Sequence, residues 1–305
     1  MQSKNIQIHL PLLKEKEVEL FVKREDLLHP FISGNKFRKL KYNLQKAKEL
    51  GKTSLLTFGG AYSNHILATA AAGKEYGFGT LGVIRGEELG EDVSKTLSKN
   101  ATLQKAANFG MEFLFVSRAA YQQKHQEAYI KGLLEMYPNS YVLPEGGTNA
   151  LAIKGCEEIL TSSDDCFTHI ACAMGTGGTV TGIINASKKY QNVGVYPALK
   201  GNWIQEEMLK LQPNKNNWTL FKEYHFGGYG KVTQELVTFI NTFKQQTQIS
   251  LDPIYTGKMM YGLLKEIEQN QLKKGSKVLA IHTGGLQGIA GINTRLAQKN
   301  KPLII

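Results

Sequence analysis

The feature that most constrains the fold is a regular alternation of short β-rich runs with longer helix-like stretches. The run "SLLTF" at 54–58, for example, is followed by a helix-like stretch at 64–76. Parallel strands need crossover connections, and helices supply them, so the pattern predicts an α/β fold with mostly parallel sheets flanked by helices. The predicted strands are 54–58, 80–85, 112–116, 140–143, 167–173, 193–199, 218–226 and 277–283, and the predicted helices are 37–51, 64–76, 93–108, 119–136, 148–162, 178–190, 231–246, 257–272 and 286–298.

The charge and cysteine content exclude several classes of protein. The formal net charge is +11, but the lysines are spread along helix-like stretches and no nucleic-acid-binding motif occurs, so we expect no nucleic-acid partner. A positive field instead favours small anionic substrates and phosphate cofactors. The three cysteines, with no CxxC spacing, indicate reduced thiols in a cytoplasmic protein rather than disulfides or a zinc site. We also expect no signal peptide and no membrane span, because the N-terminus is charged and no run of about 18 apolar residues exists.

Ligands of parallel sheets bind beyond the carboxyl ends of the strands, so the turns after the predicted strands are the places to search. In "FGGAYSNH", the polar residues Ser63, Asn64 and His65 stand where a helix begins. Ser and Asn are good N-cap residues, and the free N–H groups of a first turn also attract anions. The stretch therefore allows a purely structural cap, but three polar side chains together favour a substrate-carboxylate site.

A second strand, 167–173, runs into a glycine-rich turn that precedes a helix. Such a turn can present backbone N–H groups to a phosphate, and the helix N-terminus adds partial positive charge. The spacing matches neither the P-loop nor the dinucleotide pattern, which points to a monophosphate. The turn consists of Gly175, Thr176, Gly177, Gly178 and Thr179.

Two further polar turns precede helices, "LDPIYTGK" with Tyr255 and "HTGG" with Thr283. Four such turns in one chain imply a composite site. No HExxH or GxSxG pattern occurs, and the histidines lack metal-ligand spacing, so no metal site is expected.

The motifs "KREDLLHPFISGNKFRKLKYNL", "GGAYSNH", "GTGGTVTG", "YTGK" and "HTGG" together resemble the pyridoxal-phosphate enzymes of the tryptophan synthase β group, fold type II. Within that group they resemble the branch of D-cysteine desulfhydrase and 1-aminocyclopropane-1-carboxylate deaminase. The matching motifs run in order from about residue 20 to 290. The resemblance implies pyridoxal 5'-phosphate as cofactor, a small amino acid as substrate and a homodimer.

The resemblance assigns Lys36 as the lysine that forms a Schiff base with the cofactor. That lysine must be neutral to attack, and burial, neighbouring cations or a helix N-terminus would lower its pKa accordingly. It also implies that the glycine-rich turn holds the phosphate and that Asn64, with Asn35, bonds the pyridine hydroxyl. By the same resemblance, catalysis belongs to Lys36, Ser63 and Tyr255, Thr283 approaches the pyridine nitrogen, and the substrate contacts are Ser63, Asn64, His65 and Tyr255.

Two departures bear on the branch. The deaminase pattern has Glu after the Tyr and Leu where this chain has Thr283, whereas this chain has Thr256 after Tyr255. Neutral partners make the pyridine ring a weaker electron sink, which suffices when a good leaving group departs from the β-carbon. The favoured reaction is thus α,β-elimination from D-cysteine to pyruvate, ammonia and hydrogen sulfide.

Alternatives remain: the cyclopropane deaminase reaction, which gives 2-oxobutanoate and ammonia, and a racemase or dehydratase. Tyr62 and Leu67 stand where the branch commonly has Gln and Arg, and Tyr62 could reshape the substrate pocket. We expect a small domain of residues 42–147 and a larger domain of 148–305 with 1–41 folded onto it.

Overall fold

The computed structural model describes residues 2–212 and 214–305, which form two sheets flanked by helices. The strands are β1 Asn5–Ile8, β2 Glu19–Lys23, β3 Ser54–Gly60, β4 Gly79–Arg85, β5 Met111–Val116, β6 Ser140–Leu143, β7 His169–Met174, β8 Asn192–Pro197, β9 Trp218–Leu220 and β10 Lys277–Ile281. The α-helices are α1 Pro11–Glu15, α2 Asn35–Glu49, α3 Asn64–Tyr76, α4 Val93–Lys99, α5 Ala101–Asn108, α6 Arg118–Gln122, α7 Glu127–Met136, α8 Ala150–Glu157, α9 Gly178–Ala186, α10 Trp203–Leu211, α11 Gln234–Thr247, α12 Thr256–Glu268 and α13 Gly288–Ala297.

The larger sheet has the strand order β1-β2-β10-β7-β8-β9, and every pair except β1 with β2 is parallel. Successive side chains of a strand point to opposite faces. In β10, Val278 and Ala280 accordingly belong to the core on the side of α11 and α12, while Leu279 and Ile281 belong to the core on the side of α9. Both faces are covered, as an α/β fold requires.

The smaller sheet has the order β5-β4-β3-β6 and is parallel throughout. One face packs against α2, α3 and α5, and the other packs against α6 and α7 through Tyr121 and Leu133. The predicted class, an α/β fold with mostly parallel sheets and flanking helices, is confirmed.

Helix α2 connects the two halves. Its residues Leu40 and Leu44 join the core of the smaller sheet, while its other side lies against α8. There a Cβ atom added at Gly155 would come within 2.1 Å of the carbonyl oxygen of Arg38. The helix runs without a break through the boundary between residues 41 and 42, and the domain limits inferred from sequence stay a prediction.

Several elements differ from the sequence expectation. The predicted helix 93–108 is two helices, because Asn100 leaves helical geometry and its side chain caps α5 by accepting from the N–H groups of Thr102 and Leu103. The elements β1, β2, α1 and α10 were not predicted. Strand β2 was missed because its sequence is charged. Lys23 is nevertheless buried in the sheet, where it pairs with Asp164 at 2.8 Å.

Helix α2 also begins earlier than predicted, at Asn35, so that Lys36 lies inside its first turn rather than before it. Across the described ranges 2–212 and 214–305, none of the helices has the length and apolar character that a bilayer crossing would require.

Candidate active site

The segment before α2 brings the cofactor lysine predicted from sequence to the carboxyl end of β10. Gly34, with φ of 61°, lies so close to this strand end that an added Cβ atom would be 2.0 Å from the carbonyl oxygen of Thr283. The same carbonyl accepts a hydrogen bond from the N–H group of Asn35 at 3.2 Å. Only glycine permits both the left-handed conformation and this approach.

Lys36 follows in the first turn of α2 and is partly exposed. Burial of its amine and, second, the charge of Lys39 hold the pKa of Lys36 well below its ordinary value. Its amine takes part in no hydrogen bond or ion pair with the other described residues. Lys36 therefore combines two properties that favour a nucleophilic lysine, a pKa shifted towards the neutral amine and no competing hydrogen bond.

The residues around Lys36 tie it to the glycine-rich turn. Asn35 Nδ2 donates to the hydroxyl of Thr179 at 2.8 Å. Lys39 Nζ donates to the hydroxyl of Thr148 at 2.9 Å, and that hydroxyl lies 2.5 Å from the hydroxyl of Thr176. Both ends of the turn are thus linked to helix α2, which holds the lysine beside it.

The turn itself has the form of an anion site. It joins β7 to the N-terminus of α9, and Gly177 adopts the left-handed conformation with φ of 81°. Within the described chain, the backbone N–H groups of residues 176–179 donate to no protein acceptor. Free N–H groups at a helix N-terminus bind phosphate well.

At the end of β3, Ser63 caps helix α3 and its side chain accepts from the N–H group of Ile66. The next residue, Asn64, has a buried side-chain oxygen with no hydrogen-bond partner among the described residues. His65 points the other way. Its Nε2 lies 2.8 Å from the hydroxyl of Thr57, and the ring is 1% exposed and lies against Gly147. Burial, above all, holds the pKa of His65 well below its ordinary value, so the ring is neutral.

Tyr255 stands opposite the glycine-rich turn, where a Cβ atom added at Gly175 would be 3.0 Å from its ring. Burial and the neighbouring Tyr229 raise the pKa of Tyr255 well above its ordinary value, so the phenol keeps its proton. Asp252 organises this turn. Its carboxylate accepts from the N–H groups of Ile254, Tyr255 and Thr256 and from the Thr256 hydroxyl, at 2.7–2.9 Å.

Comparison with known proteins identifies the family. The model of a family described as pyridoxal-phosphate dependent enzymes matches residues 6–284. The chain belongs to this family. The expected cofactor, pyridoxal 5'-phosphate, is thereby confirmed.

Relatives place the chain more closely. It is 31% identical to a putative 1-aminocyclopropane-1-carboxylate deaminase of Pyrococcus horikoshii, with 92% of this chain and 89% of that one covered. It is 30% identical to a bifunctional D-cysteine desulfhydrase/1-aminocyclopropane-1-carboxylate deaminase of Arabidopsis thaliana, with 89% and 73% covered. The crystal structure of a homologue of this deaminase superposes with a TM-score of 0.79 at 29% identity, covering 98% and 94%. The resemblance to this branch is confirmed.

The residues present fit a pyridoxal phosphate. The unpaired N–H groups of 176–179 can hold its phosphate, the amine of Lys36 can bind its aldehyde, and the partnerless oxygen of Asn64 is available to a ring substituent. The hydroxyl of Thr283, which bonds no described residue, is available to the ring nitrogen. The individual roles of these residues stay predictions.

One residue missed by the sequence reasoning is Tyr229, which meets Tyr255 edge-on with ring centroids 6.1 Å apart. Burial is the main cause that raises the pKa of Tyr229. The neighbouring Tyr255, Glu145 and Arg85 also act on it, and the net effect is a raised pKa. Glu145 follows β6 and Arg85 ends β4, so their influence on Tyr229 means that its phenol lies near the smaller sheet. Its place among glycines in "FGGYGK" was the available signal, because a glycine-rich loop can carry one side chain towards a ligand.

The two unusual residues behave differently. Leu67 is buried in the core between α3 and α5, away from solvent. Tyr62 is exposed and lies against α13, where a Cβ atom added at Gly291 would be 2.6 Å from its ring. Tyr62 therefore links the turn after β3 to a helix of the larger half at the edge of the site.

Proposed function

We propose that this enzyme catalyses α,β-elimination from a small amino acid, with D-cysteine as the favoured substrate, and releases pyruvate, ammonia and hydrogen sulfide. Support comes from the family, from the relatives whose names include D-cysteine desulfhydrase, and from the groups available to the ring nitrogen of the cofactor.

The last of these carries the proposal. Thr256 occupies the position after Tyr255 and is fully buried, and its hydroxyl is bound to Asp252. The Asp252 carboxylate is occupied by the first turn of α12. A neutral hydroxyl, that of Thr283, is the group left for the ring nitrogen. A weakly polarised ring suits a substrate with a good leaving group such as hydrosulfide.

In this reaction the residues of the chain have separate roles. The N-terminus of α3, with Ser63 as its cap, holds the substrate carboxylate by its free N–H groups. The Nζ of Lys36 accepts the α-proton of the substrate, because burial and the charge of Lys39 hold its pKa well below its ordinary value and so favour the unprotonated amine. Pyridoxal phosphate, when bound, would supply the electron sink for the negative charge left at the α-carbon. As the Cβ–S bond breaks, the protonated phenol of Tyr255 donates to the leaving sulfur. The aminoacrylate left behind hydrolyses to pyruvate and ammonia.

The alternative is the deaminase reaction on 1-aminocyclopropane-1-carboxylate, which the name of the Pyrococcus horikoshii relative favours. It breaks an unactivated carbon–carbon bond and releases 2-oxobutanoate and ammonia without sulfide.

A side-by-side assay separates the two. The purified protein with pyridoxal phosphate is given D-cysteine, L-cysteine, D-serine or the cyclopropane substrate, and pyruvate, 2-oxobutanoate and sulfide are quantified. We expect pyruvate and sulfide in equal amounts from D-cysteine and little 2-oxobutanoate. Turnover of the cyclopropane substrate faster than of D-cysteine would replace the proposal with the alternative, and inversion of a substrate without ammonia would indicate a racemase.

We also propose that the enzyme works in the cytoplasm as a homodimer. Its three cysteines are free thiols and two of them are buried, which suits a reducing compartment. The dimer follows from the resemblance alone, and sedimentation of the purified protein tests it.

A further inference from the structure

Lys258 is a buried lysine that the proposed reaction does not use. It lies on α12 one turn after Tyr255 and is 1% exposed. Its amine donates to the carbonyl oxygen of His225 at 2.9 Å and to that of Gly228 at 2.8 Å. Both acceptors belong to the loop that carries Tyr229.

This loop has a backbone that needs support. Phe226, Gly227, Gly228 and Gly230 have φ values of 52°, 88°, 108° and 66°. A left-handed conformation is costly for Phe226, and glycines lose more entropy than other residues when they are fixed. The loop bonds internally from the Gly228 N–H to the His225 carbonyl and from the Lys231 N–H to the Gly228 carbonyl. Lys258 donates from α12 to the same two carbonyls and so joins the turn that begins at His225 to the turn that begins at Gly228.

We propose that Lys258 is a positioning residue, whose amine fixes the loop at 225–230 so that Tyr229 lies against Tyr255 beside the candidate site. Hydrogen bonds from an ionised donor are stronger than neutral ones. Burying an ammonium is costly unless it is hydrogen-bonded. The bonds to the two loop carbonyls therefore explain why Lys258 is buried here. The catalytic part of this inference rests on the proposed function, since it assumes that Tyr255 acts on the substrate.

The electrostatic surroundings agree with this role. Burial lowers the pKa of Lys258 to about 8, while Asp252 acts to raise it. His225, which feels the charge of Lys258, has its own pKa lowered, with burial as the main cause. No acidic group forms an ion pair with Lys258 among the described residues, so its donors are committed to the loop carbonyls.

The test compares Lys258→Met, which keeps the length of the side chain but removes its donors, with Lys265→Met. Lys265 is a partly exposed residue of the same helix, paired with Glu268. Backbone hydrogen exchange is measured on the protein without cofactor. We expect the amides of Gly228 and Lys231, which bond to backbone carbonyls within the loop, to exchange about tenfold faster in Lys258→Met, the order of effect that a bond to a charged donor carries, and at the unaltered rate in Lys265→Met. Equal rates in the two variants would overturn the proposal.

A double-mutant cycle tests the effect on catalysis. If Lys258 acts through Tyr229, Lys258→Met should lower kcat more than it raises KM, and should change little further in a Tyr229→Ala background. Losses of kcat that simply multiply would show that Lys258 acts elsewhere.

Lys258→Arg keeps a charged donor and should fall between the wild type and Lys258→Met in both measurements. The Arg variant also provides the test if the Met variant does not fold. Faster exchange of the loop amides in Lys258→Arg than in Lys258→Met would count against the inference, and so would wild-type exchange rates in every variant. Because hydrogen exchange needs neither substrate nor cofactor, a failure of the proposed reaction and a failure of this inference are distinguishable.

Discussion

The side-chain amide of Asn35 donates to the hydroxyl of Thr179 at 2.8 Å, which joins the residue before Lys36 to the last residue of the glycine-rich turn. The protein therefore fixes the lysine predicted to attach the cofactor and the turn predicted to bind phosphate relative to each other before any ligand binds. Such preorganisation lowers the ordering cost of binding.

Replacement of Lys36 by alanine should abolish covalent attachment of pyridoxal phosphate, because the unengaged amine is lost. The protein is incubated with the cofactor, treated with borohydride and dialysed, and the absorption and the modified peptide are measured. Lys46→Ala, an exposed position on the same helix, should retain the label. Label retained by Lys36→Ala would place the attachment at another residue.

Replacement of Lys39 by methionine should raise the pKa of Lys36, since one of the two causes that lower it disappears while burial remains. A lysine with a higher pKa is neutral only at higher pH, so the pH profile of cofactor attachment should move to the alkaline side. Absorption at the visible edge, followed against pH, measures this shift. Lys41→Met, whose exposed amine pairs with Glu158, should leave the profile in place. A profile that stays unchanged or moves to acid in Lys39→Met contradicts the expectation.

Gly34→Ala should be strongly destabilising, because the new Cβ atom would meet the carbonyl oxygen of Thr283 at 2.0 Å. We expect a loss of about 3 kcal/mol or more in the free energy of unfolding, from overpacking and positive φ together. Gly51 is a matched control with φ of 64° and open space around it, so Gly51→Ala should cost about 1 kcal/mol. Urea unfolding of both variants measures the difference, and similar values would show that the contact relaxes without cost.

Thr256→Glu introduces the residue that the deaminase pattern has at this position, but we expect that the variant does not gain deaminase activity. The position is buried and its hydroxyl is bonded to the carboxylate of Asp252. A second carboxylate there lacks a partner and should destabilise the protein by about 3 kcal/mol or more. Thr256→Ser, which keeps the hydroxyl, should unfold nearly like the wild type. A stable Thr256→Glu protein that turns over the cyclopropane substrate would refute this account.

The sequence was most informative where one local signal decided the outcome. Helix α3 runs from Asn64 to Tyr76 as predicted, because Ser63 caps its start and Gly77 ends it in the left-handed conformation. The alternation of strands and helices likewise predicted the fold class.

The sequence was least informative about buried lysines. Lys23, Lys39 and Lys258 look like solvated cations of a basic protein, yet each is at most 2% exposed. Apart from Asn5, which also bonds Lys23, their partners are a distant carboxylate and carbonyl or hydroxyl groups more than 25 positions away in the chain. No local pattern encodes such pairings, and the same holds for the approach of Tyr229 to Tyr255.

Helix α2 is anchored to both halves of the molecule and carries the reactive amine in its first turn. If the smaller sheet moved away as a unit with this helix, the bond between Asn35 and Thr179 would have to break and the amine of Lys36 would move away from the glycine-rich turn. Substrate entry and product release are therefore least disruptive when only the parts of the structure that α2 does not contact move. Lys36 then keeps its position beside the glycine-rich turn.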